Sequence, residues 1–324
     1  MSALDKLSSI ELQISYADTT DKDYAKLQSF INTTSYSMLG ELHACPRKLQ
    51  LIKSRALKAG HVPQNVDFAY GHAVGAGIQS YLATGGNLDM ALFNTFLAWR
   101  IPFEAAIEKK HKTIWDTWLA VLAYQSFHQE HLEDWEVWKL PNGKPAIELA
   151  IEIDCENGYK HYMHIDVILQ NKFTGQLAIQ ENKTHGFTAA EAAIYANSAQ
   201  ALSYGIPIDM LSSNTSYEVF YVCYSSVSRE WELLPFTKST SLKAEWIADI
   251  RLDHAAIQTY RQINFWPKRG ESCYNFGRRC EFFGSCNIVS DANVERILPD
   301  GESAERVDYS FKLSEIIGRQ KERI

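Results

Sequence analysis

The sequence predicts an α/β fold, and two observations carry that prediction. From Ser35 to about Leu132 apolar residues recur at helical spacing, whereas from Ala146 onward two-residue alternation sets in and strands begin to alternate with helices. Of the 324 residues 46% are hydrophobic and 22% charged, the balance of an ordinary globular chain with ample material for a core. No repeat, low-complexity tract or linker interrupts the chain, which favours one compact α/β domain over 35–290. Residues 1–34 read as an N-terminal arm and 291–324 as a polar C-terminal tail.

The elements follow in order. Ser35 to Leu57 is helical, with Pro46 starting or kinking a segment just after Cys45. Phe68 to Leu82 reads as a helix whose small residues Gly71, Ala73, Gly75, Ala76 and Gly77 imply a close neighbour. Asn87 to Trp99 and a long amphipathic stretch from Phe103 to Leu132 complete the helical half. Ala146 to Asp154 then alternates, with Ile147, Leu149, Ile151 and Ile153 on one side and Glu148 and Glu152 on the other. Tyr159–Leu169 and Gln176–Glu181 form a hairpin about the turn residues Asn171 to Gly175. Thr188 and Glu191 have capping-box spacing for a helix running to Tyr204, ended by Gly205-Ile206-Pro207. Tyr217–Tyr224 and Arg229–Phe236 are a second strand pair, and Leu242–Ile263 is a helix. A short helix is expected at Phe311–Ile324.

The formal charge is -7, which argues against a general nucleic-acid coat protein but leaves room for a local basic groove. Met1 to Thr20 lacks a basic start followed by an apolar run, and Ile114–Phe127 is too short to span a bilayer. A cytoplasmic protein with no membrane partner is expected. Of the six cysteines, Cys155 and Cys223 fall inside apolar strands and read as core thiols.

Chemistry concentrates in one series. Asp166 lies on a strand, on the face opposite Ile165 and Val167. Glu181 and Lys183 are two apart on the next strand and so share a side. Gln200 and Tyr204, at i and i+4, share a helix face. Across a hairpin Asp166 and Glu181 can converge on one hard cation such as Mg²⁺. The ammonium of Lys183 can then orient a water or offset charge on a phosphate.

This ordered series resembles the PD-(D/E)XK nuclease superfamily, in its RecB-like and CRISPR-associated exonuclease branch, over about Ser35 to Asn287. The resemblance implies a restriction-endonuclease-like core, a mixed central β-sheet flanked by helices, and metal-dependent cleavage of DNA. It implies Asp166 and Glu181 as ligands of Mg²⁺ or Mn²⁺, Lys183 as the catalytic lysine, and Gln200 and Tyr204 as a supporting pair. It also implies partners: single-stranded DNA or duplex ends, with a helicase, annealing protein or other recombination or replication factor, in a phage or its host. The branch places a metal-ligating His four residues after a helix Gly. Here Gly71-His72-Ala73-Val74-Gly75 has Gly75 at that position, so His72, Glu148 or Glu152 is the candidate third ligand. His164 also replaces a glycine common two residues before the Asp. A nuclease fold without catalysis, serving as a DNA-binding or scaffolding subunit, is the alternative.

Cys45, Cys273, Cys280 and Cys286 form a second constellation. Three cysteines within fourteen residues suggest a metal site, for which Zn²⁺ and a [4Fe-4S] cluster are the choices. The wide gaps and aromatic surroundings lean toward the cluster. A subgroup of the same nucleases carries one cysteine ahead of the core and three behind it, binding an iron-sulfur cluster that clips the chain ends together. Trp266, Tyr274 and Phe276 could shield such a cluster or stack on bases, and Lys268, Arg269, Arg278 and Arg279 are candidate DNA contacts.

Overall fold

A computed structural model of the chain describes residues 32–53, 65–101, 110–155, 157–196, 198–211, 218–275, 278–288 and 307–322. The helical part begins with β1 (Thr33–Ser35), α1 (Tyr36–Ala44), α2 (Pro46–Lys53), α3 (Val66–Ala83), α4 (Leu88–Ala98) and α5 (Ile114–His131). There follow β2 (Trp135–Val137), β3 (Ile147–Asp154), β4 (Lys160–Asn171), β5 (Leu177–His185), α6 (Ala192–Ala196), α7 (Ala199–Leu211), β6 (Glu218–Ser225) and β7 (Trp231–Thr237). The chain continues through α8 (Thr240–Gln262), the short ribbon β8 (Tyr274–Asn275) and β9 (Arg278–Arg279), β10 (Tyr309–Lys312) and α9 (Leu313–Glu322).

The fold is α/β, with helices flanking an open mixed sheet of eight strands ordered β10-β3-β4-β5-β6-β7, in which β1 and β2 also pair with β4. β4 and β5 form the antiparallel hairpin, with Leu169 opposite Ala178 and Gln170 opposite Leu177. β6 adds to β5 in parallel, and β7 returns antiparallel to β6. The central strands carry long apolar runs because both faces are covered: Val219 to Ser225 are buried without interruption.

The chain divides into two compact units, each built from separate stretches. One gathers Met1–Val62, Ala150–Met163 and Thr240–Ile324; the other gathers Pro63–Leu149 and His164–Ser239. The second unit holds a core in which Tyr70, Val74 and Ile78 of α3, Val121 and Tyr124 of α5, and Val167, Ala178 and Val222 of the sheet pack together. Helix caps set the element starts: Asn65 accepts from Asp67 N–H, Asn87 from Met90 N–H, and Thr113 with Asp116 forms a full capping box.

Several expectations are corrected. The helix expected from Phe103 starts at Ile114, because the Thr113–Asp116 box and the left-handed His111 (φ 71°) define its beginning. Residues 103–109 of that expectation lie outside the described set, as do 54–57 of the first helical stretch. Thr188 does not cap a helix; Glu191 instead accepts from Ala193 N–H at 3.4 Å, at the start of the short α6. Pro207 does not end α7, which runs through it to Leu211. Tyr204 to Asp209 are all buried. Burial of Ile206 and Ile208, at roughly 1.5–3 kcal/mol each, offsets the proline penalty of about 3 kcal/mol. The polar tail contributes a strand that alternation did not reveal, β10, parallel to β3 with Phe311 opposite Ile153.

Candidate active site

The site is assembled at the end of the β4–β5 ladder, wholly within the second unit. Ladder partners Val167–Gln180 to Gln170–Leu177 share one register, and continuing it would set Asp166 opposite Glu181. The described ladder stops one pair short of them. Asn182 N–H, free of main-chain pairing on that side, donates to Asp166 Oδ2 at 2.9 Å. Opposite residues of an antiparallel pair project from the same face, so the two carboxylates come together where the strands part.

Lys183 stands on the same side as Glu181. Its Nζ donates to Glu181 Oε1 at 2.6 Å and to Gln200 Oε1 at 3.0 Å. Gln200 in turn donates through Nε2 to Glu181 Oε1 at 2.8 Å and to Tyr204 Oη at 2.6 Å. The amide of α7 thereby bridges lysine, carboxylate and phenol. Glu181 is 3% exposed, and its second oxygen, Oε2, is buried with no hydrogen-bond partner. A buried carboxylate oxygen without a donor is costly unless a cation or proton meets it.

Electrostatics agree with that geometry. Burial raises the Asp166 carboxyl well above its usual range, the neighbouring Glu181 raises it further, and Asn182 N–H and Lys183 pull the other way. Burial likewise raises Glu181 against the opposing Lys183. The Tyr204 phenol is raised, first by burial and then by Glu181 and Asp166, so it stays protonated.

A pocket of about 260 Å³ opens over these groups, lined by Gly71, His72, Gly75, Gln79, Glu148, Asp166, Glu181 and Lys183 among others. His72 is exposed on its wall. A side chain at Gly75 would point into open space, since an added Cβ meets nothing within 4 Å. Glu148 reaches the pocket from a left-handed backbone (φ 50°), a conformation unusual for a non-glycine residue. Gln79 Nε2 holds it by a hydrogen bond to Oε1. Glu152 is not a site residue: β3 loses simple alternation after Glu148, and Glu152 pairs with Lys160 at 2.9 Å and with Tyr162 and Ser310. His164 is exposed and lines neither described pocket.

Sequence reasoning missed the groups that orient Asp166. Tyr124 Oη accepts from Gln180 Nε2 at 2.9 Å, and the same nitrogen donates to Asn182 Oδ1 at 2.9 Å. Gln180 is fully buried, so this chain stiffens Asn182 from behind. Asn182 lies between the two motif residues, but its shorter bond to Asp166 comes from the main-chain N–H at 2.9 Å, to which residue type gives no clue, while its side-chain Nδ2 donates to the same oxygen at 3.5 Å.

The four cysteines all fall in the first unit. Arg47 N–H donates to Pro267 O at 3.1 Å, and Cys280 N–H to Cys273 O at 2.9 Å, drawing their loops together. Cys280 and Cys286 pack beside the buried pair Leu51 and Phe282. Burial raises the Cys280 thiol, with Cys273 and Cys286 near enough to raise it further and Lys48 to lower it. The donor set is four thiols, chemistry that suits a soft metal or cluster. Among the described residues, however, no three His, Cys, Asp or Glu side chains are gathered in metal-holding geometry, here or at the carboxylates. Lys268 bonds Asn287 at 3.0 Å, Arg269 is exposed, and Arg279 lies over Phe283 at 5.5 Å. The side chain of Arg278 and all of Phe276 lie outside the described residues. Trp266 is 3% exposed against Tyr260, so it cannot stack on a base, whereas Tyr274 is open to solvent.

No protein-family model matches the chain, and no curated protein matches it in sequence. Among solved structures it is similar to a candidate exonuclease from Eubacterium rectale, at 12% identity and a TM-score of 0.46, covering 89% of this chain and 97% of that one. It is also similar to the protein SSO0001, at 15% identity and a TM-score of 0.28, covering 65% and 84% respectively. Among the described residues no helix is long and apolar enough to cross a membrane.

Proposed function

We propose that the chain is a metal-dependent deoxyribonuclease, an exonuclease acting on single-stranded DNA or duplex ends. The observation that carries this reading is the paired Asp166 and Glu181 at an open pocket, with Lys183 bonded to Glu181 and an orphaned, buried Glu181 Oε2. These groups fit a hard divalent cation, Mg²⁺ or Mn²⁺, with Asp166 and Glu181 as its ligands and His72 or Glu148 as a further donor. When bound, such a cation supplies Lewis acidity and acidifies water. Lys183 brings an ammonium to the mouth of the pocket, where it offsets charge on a phosphate. Gln200 holds that ammonium against Glu181, and Tyr204 fixes the Gln200 amide. Asn182 keeps Asp166 turned toward Glu181.

Cys45, Cys273, Cys280 and Cys286 would hold a [4Fe-4S] cluster, or Zn²⁺ in the other case, as a structural tie within the first unit. Anaerobically purified protein should then be brown and lose its visible absorbance in Cys280→Ser. A colourless protein with one equivalent of zinc would assign the site to zinc. Helicase, annealing or other recombination and replication proteins are the partners this reading suggests.

The test is end-labelled single- and double-stranded DNA with Mg²⁺ or Mn²⁺, beside Lys183→Ala. Removing one such electrostatic donor should cost on the order of 10²–10³ in rate. The alternative, a DNA-binding subunit without catalysis, draws on one observation: no third ligand is gathered at the carboxylates among the described residues. Tight DNA binding without cleavage, unchanged in Lys183→Ala, would decide for it.

A further inference from the structure

A second, larger cleft of about 740 Å³ adjoins the carboxylate pocket and shares Gly71, His72, Gly75, Asn182 and Lys183 with it. Its wall is one stripe of α3: Phe68, Gly71, His72 and Gly75 stand at i, i+3, i+4 and i+7. Arg100, just beyond α4, and Thr184 of β5 complete the lining used here. Two features of this stripe oppose a purely structural role. Phe68 is 77% exposed at the cleft although the core beside it buries Ala69 and Tyr70 completely or nearly so. Gly75 leaves the helix bare toward the cleft, where an added Cβ would meet nothing within 4 Å, whereas Gly71 lets α3 approach Thr184, whose Oγ1 an added Cβ would meet at 3.2 Å. The acidic lining residue, Asp67, is neutralised by Lys112 at 2.7 Å and Lys183 is paired with Glu181 at 2.6 Å, so Arg100 gives the cleft its sign.

We propose that this cleft is the substrate channel for an unpaired strand, in which Phe68 stacks a nucleobase and Arg100 takes a backbone phosphate. The proposal rests on the nuclease reading above and names the substrate form that its site takes. An aromatic face can receive a base only when that base is unstacked, and duplex bases present their faces to one another. Seven residues of helix set Phe68 about 10 Å along the axis from Gly75, which also lines the carboxylate pocket. The strand thus runs along α3, with the reacting phosphate over Asp166 and Glu181 and a neighbouring base held by Phe68. The bare Gly75 admits the sugar-phosphate chain against the helix.

The experiment measures binding of a fluorescein-labelled single strand and of a blunt duplex in EDTA, and cleavage of both with Mn²⁺. Wild type, Phe68→Ala, Phe68→Trp and Arg100→Ala are compared. Loss of a base stack is expected to weaken single-strand binding roughly 5- to 150-fold. That loss should be carried by KM and restored by Phe68→Trp, with duplex binding little changed. Arg100→Ala should flatten the dependence of log K on log salt by about 0.7. A 2-aminopurine placed in the strand should be quenched by wild type and Phe68→Trp but not by Phe68→Ala. If wild type cleaves DNA and Phe68→Ala binds and cleaves the single strand equally well, the channel proposal is overturned while the nuclease reading stands. If wild type neither binds nor cleaves any of these substrates, the nuclease reading falls and takes the channel with it.

Discussion

Acid should destabilise the first unit through a buried pair of histidines. Thr34 Oγ1 lies 3.2 Å from His161 Nδ1 and 3.1 Å from His254 Nε2. His161 is fully buried with an edge-on Trp246, and His254 stacks on Tyr159 at 4.6 Å. The Thr34 hydroxyl carries one proton, so at least one imidazole must present an N–H to it. His161 Nε2 is buried without a partner, and a proton placed there would find no acceptor. Burial accordingly lowers His161 to about 3, helped by repulsion from His254, and lowers His254 to about 4. In the unfolded chain both titrate near 6.5. Folded values below unfolded ones mean stability that is full above pH 6.5 and lost as pH falls toward 4 and 3. At pH 5 each neutral imidazole costs the fold about 2 kcal/mol relative to pH 7.5, and the pair about 4 kcal/mol. Urea unfolding at the two pH values measures this directly. A His161→Gln/His254→Gln protein keeps polar partners for Thr34 but cannot titrate, and it should lose about 4 kcal/mol less than wild type over the same interval. Equal losses in the two proteins would refute the reasoning.

Other outcomes follow from the same geometry. Gly77→Ala should destabilise by about 1–3 kcal/mol, since a Cβ there would meet Val121 Cγ2 at 2.6 Å and Thr95 Oγ1 closer still. Gly75→Ala, two residues earlier and facing open space, should instead stabilise by roughly 0.5–1 kcal/mol; thermal melts of both variants check the contrast. Gln180→Leu strips buried partners from Tyr124 and Asn182 and should cost about 1–3 kcal/mol, read by urea unfolding. Asp166 and Glu181 have raised folded values, so their contribution is favourable at low pH and is lost as pH rises through those values. Mn²⁺ should therefore raise the melting temperature more at pH 8 than at pH 5.5, and Asp166→Asn should reduce that difference.

Much of the site was legible because local rules place its parts. Alternation puts Asp166 on its face of β4 and sets Glu181 and Lys183 on one side of β5. The i, i+4 rule aligns Gln200 with Tyr204. The turn residues Asn171 to Gly175 dictate the hairpin that brings the strands together, since Asn171 Oδ1 accepts from Phe173 and Thr174 N–H. These are properties of neighbours in the chain, so the amino-acid order determines them. What tertiary structure alone decided are contacts between residues far apart. Whether α7 survives Pro207 depends on burial supplied by the rest of the unit. The partner of β10 is β3, some 158 residues away at Ser310 and Glu152, and a four-residue strand carries too little pattern to announce it. Gln79 on Glu148, and Asn182 N–H on Asp166, are single hydrogen bonds whose existence depends on where α3 and the end of the ladder come to rest. The open cleft at Phe68 is likewise a space, left by how α3 packs and by Gly75, which does not fill it. Periodicity determines which side of an element a residue takes; only packing of the whole determines what it meets there.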